Sequence, residues 1–133
     1  MNYSRIVLFS VGLFLLLFAV SAISTLIVGP DKITQSTSYV FTLHIISFIF
    51  SLLVYMYLGY KQSTTLYKQA ILVASIYWFL NLSVSVLLYF IFEIPIVALV
   101  FLIPVLLHVI AVLLGTLLGT QLRHKRELGV NAK

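Results

Sequence analysis

The side chains with the most chemistry to offer inside the oily stretches of this sequence are His44, Asn81 and His108. An imidazole there can ligate a haem iron, hand on a proton or hydrogen-bond between helices. An amide can anchor a neighbouring helix or a polar solute. Polar groups are costly in hydrocarbon, so their positions are the best functional clue in the chain.

Helical spacing groups each of them with polar or small neighbours. His44, Ser47, Ser51 and Tyr55 recur at steps of three and four residues. Trp78, Asn81, Ser85 and Tyr89 do the same, as do Pro104, His108, Ala111, Gly115 and Gly119. Three such stripes are expected to face one another, leaving Leu, Ile, Val and Phe for lipid. The intramembrane polar cluster is therefore His44, Ser47, Ser51, Asn81, Ser85 and His108. Gly12, Ala19 and Ala22 give a milder small-residue face near the start of the chain.

Each chemistry makes its own demands. A haem b clamped between His44 and His108 suits a helical bundle. His44, however, lies about five residues from the middle of its run, roughly 7 Å at helical rise. Zinc normally takes three or four protein ligands, so no metal site is expected from two deep histidines. The plain alternative is an interhelical hydrogen bond to Asn81 or a serine hydroxyl, worth about 0.6–2 kcal/mol in membranes. Proton or ion coupling usually involves a buried charge, and no Asp, Glu, Lys or Arg lies inside any apolar run. No enzyme is expected: the chain has no nucleotide loop, no GxSxG, no HExxH and no paired carboxylates. The Asn81-Leu82-Ser83 sequon falls inside a span, where glycosylation cannot reach it.

The elements that must hold these residues are four apolar runs: Ile6–Val28, Tyr39–Tyr60, Ala70–Phe92 and Ile94–Leu122. Each is long enough to cross about 30 Å of hydrocarbon as a helix. The sequence is 62% hydrophobic and 8% charged, with mean hydropathy +1.19. Soluble domains carry roughly 25% charged residues. So little charge cannot coat a water-facing surface. The expected fold is an all-α integral membrane protein, a single domain over residues 1–133 forming a four-transmembrane-helix bundle.

Charge sets the threading. Arg5, Lys61, Lys68, Arg123, Lys125, Arg126 and Lys133 fall on one side, and Lys32 on the other. The positive-inside rule then places both termini and the middle loop in the cytoplasm, and the compact loops without an organelle-targeting segment lead us to expect a bacterial inner membrane. The same location explains the net charge of +5 without a nucleic-acid partner.

Local signals fit this map. Gly29-Pro30-Asp31 should end the first helix, Ser36 and Ser38 can cap the second, and Gly59 and Lys61 mark its end. Glu93 and Pro95 leave a very short turn before the fourth span. Val20-Ser21-Ala22 offers a rival reading of the first run as a cleavable signal peptide, though the run continues to Val28. Pro104 withholds a donor from the Val100 carbonyl and should bend the fourth helix. Gly115 and Gly119 form a GxxxG face for close helix packing, within the chain or with another subunit.

Three functions follow as expectations. The first is an accessory or structural component that packs on another membrane subunit or on itself within the bilayer. The second is an oligomeric channel or small transporter with a path lined by His44, Asn81 and His108. The third is a haem-binding redox membrane anchor.

Overall fold

A computed structural model of the chain describes residues 3–29, 37–61, 65–92 and 98–131. Four helices account for nearly all of them: α1 (Tyr3–Val28), α2 (Thr37–Lys61), α3 (Leu66–Phe92) and α4 (Ala98–Asn131). All four are long and apolar enough to cross a membrane. Gly29 stops α1 at φ +87°, a left-handed conformation open to glycine, while its N–H still donates to the Thr25 carbonyl at 2.9 Å. Ser36, Glu93 and Pro95 lie outside the described residues.

Two helix ends differ from the sequence expectation. Ser38 is the second residue of α2, and its carbonyl accepts the Thr42 hydroxyl at 2.9 Å. The last helix continues past Leu122 to Asn131, because no breaker interrupts Arg123 to Leu128 and these are good helix formers. Arg123 and Glu127 pair at 3.6 Å along that extension. Arg126 Nη1 donates to the Tyr60 hydroxyl at 2.5 Å, tying the extension to α2.

Cross-helix partners give the directions. Phe9 meets Tyr57, so α1 and α2 run antiparallel; Gly115 meets Leu52 and Tyr55 while Gly119 meets Tyr60, so α2 and α4 run parallel. The α2–α4 contact is the most extensive in the molecule, and α1 packs next best on α3.

Glycines make the α2–α4 contact possible. A Cβ on Gly115 would stand 2.7 Å from the Leu52 carbonyl oxygen, and one on Gly59 would stand 2.6 Å from that of Thr116. A Cβ on Gly119 would run into the Met56 carbonyl oxygen. α2 ends at Lys61 as expected, and Gly59 in its last turn is also a packing residue. Its place is forced by the Thr116 backbone lying against it. Such close approach gains dispersion contact, the main source of helix association where lipid replaces water.

The expected small-residue face of α1 is not its inner one. Gly12, Ala19 and Ala22 are exposed, and Ile6, Ser10, Leu13 and Leu17 are buried. Their spacing also follows one helical stripe. Ser10 can join it because its hydroxyl donates to the Ile6 carbonyl at 2.7 Å, leaving no orphan donor.

The core is unevenly spread along the bundle. Buried side chains include Leu13, Tyr55, Leu58, Val73, Ala111 and Thr116. With the rest of the core they run from the middle of the bundle to the end where α1 begins and α4 finishes. Among the described residues fewer side chains are buried in the other half, where His44, Ser47, Asn81 and Ser85 lie, with the buried Ser51 and His108 at the boundary.

Candidate functional site

His108 is the hub of the polar region. It is 5% exposed and sits one helical turn beyond Pro104 on α4. Its Nε2 is hydrogen-bonded to the Tyr55 hydroxyl of α2 at 3.0 Å. The Tyr77 ring of α3 stacks on the imidazole at 4.6 Å between centroids and 14° between planes. Trp78 and Tyr55 meet the same ring edge-on, at 5.8 Å and 5.5 Å. One imidazole therefore joins three helices through a hydrogen bond and three aromatic contacts. Aromatic pairs of this kind contribute about 0.5–1.5 kcal/mol each beyond burial.

The partner of His108 is thus a phenol, not Asn81 or a serine hydroxyl. Tyr55 belongs to the stripe visible in the sequence. Tyr77 belongs to none, although it stands four residues before Asn81 on the same helical face.

Two cavities lie beside this hub. The smaller, about 40 Å³, is bordered by His44, Ser47, Ser51, Trp78, Pro104 and His108. Its volume exceeds the roughly 10–15 Å³ that one water needs, and its polar border could hold one. The larger, about 240 Å³, has a mixed lining: Ser21, His44, Ser47, Tyr77 and Asn81 are polar, and the rest is apolar, including Leu17, Leu43 and Val84, with Pro104 at its edge. His44, Ser47, Tyr77 and Pro104 border both, so the cavities adjoin.

Ser85 lines neither cavity; its hydroxyl donates to the Asn81 carbonyl at 2.9 Å within α3. Ser85 is half-buried like Asn81 and Tyr89 is exposed, so the α3 stripe leaves the interior after Ser85. Gly115 and Gly119 are buried against α2, away from both cavities. Pro104 sits within a continuous α4. Its missing N–H leaves a turn of backbone beside the cavities without the usual helical donor.

The arrangement can solvate a small polar molecule by neutral donors and acceptors. His44 and Asn81 offer ring nitrogens and an amide, and Ser21 and Ser47 offer hydroxyls. Haem ligation by His108 Nε2 would first require breaking the Tyr55 bond, and the stacked Tyr77 covers one face of the ring. His108 does not fit the axial role in this arrangement. Among the described residues, no three metal-ligating side chains come together. Comparison with protein-family models, curated proteins and solved structures found no match to the chain.

Proposed function

We propose that this chain is a four-span protein of the bacterial inner membrane, with both termini cytoplasmic, that binds and passes a small uncharged polar solute. The observation that carries the solute reading is the 240 Å³ cavity lined by His44, Ser47 and Asn81. It is smaller than the roughly 300–1,000 Å³ of sites for drug-sized ligands, which favours a solute of few atoms. Its neutral lining favours an uncharged one. In the proposed orientation the cavity occupies the outer half of the bilayer, above an aromatic floor in which Tyr77 borders the cavity and His108 and Tyr55 lie behind it. Passage would then require that aromatic floor to rearrange, alone or in an oligomer.

The accessory-subunit reading drew part of its weight from the Gly115–Gly119 face. That face is covered by α2 of the same chain. Redox anchoring through a bis-histidine haem is disfavoured by the bond His108 already makes. No catalysis is proposed.

The single tryptophan, Trp78, supplies the test, because it borders the smaller cavity and touches His108. Titrating small neutral solutes such as glycerol and urea into protein in liposomes should shift its emission. Stopped-flow light scattering on the same liposomes should show solute entry faster than through empty vesicles. Ser47→Phe, which fills the cavity, should remove both effects. Flux and emission indistinguishable from controls for every solute would overturn the reading.

A further inference from the structure

A further recess lies between α1 and α2, with the core residue Leu13 on its border. Leu8, Phe9 and Gly12 of α1 face Leu53, Val54 and Tyr57 of α2 across an apolar groove of about 400 Å³. A Cβ on Gly12 would meet no atom within 4 Å, so this glycine leaves space instead of admitting a helix. Leu8, Phe9 and Tyr57 also line an adjoining recess of about 360 Å³, closed by Arg5 and Lys61. Lys61 Nζ stands 5.8 Å from the centre of the Tyr57 ring. Gly12 and Val54 each lie seven residues from the basic residue of their own helix, about 10 Å along the axis.

The groove is thus apolar along its length and cationic at one end. We infer that it binds an anionic phospholipid, with an acyl chain along Gly12 and the phosphate between Arg5 and Lys61. Charge complementarity selects this occupant. A lipid alone pairs an uncharged chain with an anion at the membrane surface, and basic residues there attract such headgroups. Long basic side chains reach the interface while their stems lie on apolar surface. The inference rests on membrane insertion and is independent of the solute cavity.

Native mass spectrometry of the full chain, released from mild detergent with added phosphatidylglycerol or phosphatidylcholine, tests it. Wild type should retain one phosphatidylglycerol in preference to phosphatidylcholine. Lys61→Gln should weaken that retention about fivefold, the effect of one basic group near the surface. Gly12→Leu, whose Cβ would meet no atom within 4 Å and whose branch would occupy the groove, should weaken it while leaving the gel-filtration profile unchanged. Lys68→Gln serves as the charge-matched control and should change nothing. Ser47→Phe should also leave retention intact, which separates this site from the cavity. Equal retention of both lipids by wild type would overturn the inference. So would equal loss in Lys61→Gln and Lys68→Gln, or loss in Gly12→Leu without loss in Lys61→Gln.

Discussion

The Tyr55 hydroxyl and His108 Nε2 lie 3.0 Å apart where α2 and α4 meet in the middle of the bundle. This bond converts two polar side chains into one satisfied pair in a region of few alternatives. It also sets the imidazole, which borders the smaller cavity, against Tyr77, which borders both.

Removing the hydroxyl should therefore loosen the fold by the worth of one interhelical bond. Tyr55→Phe is expected to destabilise the protein by about 0.6–2 kcal/mol. Unfolding by SDS titration in mixed micelles, followed by Trp78 emission, measures this. Because Trp78 touches the same imidazole, its folded-state emission should also shift.

The glycine contact should tolerate far less. Gly119→Ala adds only a Cβ, but that atom meets the Met56 carbonyl and the Tyr60 amide, which are backbone and cannot rotate away. Overpacking of this kind costs about 1–3 kcal/mol or more. Gly12→Ala, with no neighbour in reach, should be close to neutral in the same SDS titration.

Thr116 offers the opposite sign. It is fully buried and its hydroxyl has no hydrogen-bond partner. An unsatisfied buried hydroxyl costs about 1–3 kcal/mol in water-based comparisons. Thr116→Val keeps the shape and removes the group. It should leave stability unchanged or raise it, as read by thermal aggregation in detergent.

The first helix should remain in the mature protein. Ile6, Ser10, Leu13 and Leu17 are all buried against the bundle, upstream of the Val20-Ser21-Ala22 sequence. N-terminal sequencing of protein purified from membranes should not begin at Ile23. A start at Ile23 would show cleavage and remove that part of the core.

The four helices were legible because each is an unbroken apolar run with polar residues between, and membrane-length periodicity needs no partner to be read. His44, Ser47 and Asn81 could be grouped because polar residues stand out on apolar helices. Tyr77 could not, because an aromatic among aromatics carries no mark until His108 is brought beneath it. The packing role of Gly59 was hidden for a similar reason: a lone glycine near a basic residue reads only as a helix end when the backbone packed on it is unknown. The inner face of α1 was misread because its small residues stood out, whereas three of its four buried positions are ordinary aliphatics.

In the proposed orientation the buried core lies toward the cytoplasm and the polar cavities toward the outside. The chain contains no cysteine, so single-cysteine variants report accessibility directly. A small membrane-impermeant thiol reagent applied from outside intact cells should label Ser21→Cys and Ser47→Cys. It should leave Ser10→Cys and Ala111→Cys unlabelled, and those two should resist reagent from the cytoplasmic side in inverted vesicles as well. Labelling of Ser10→Cys from inside together with protection of Ser47→Cys from outside would contradict the account.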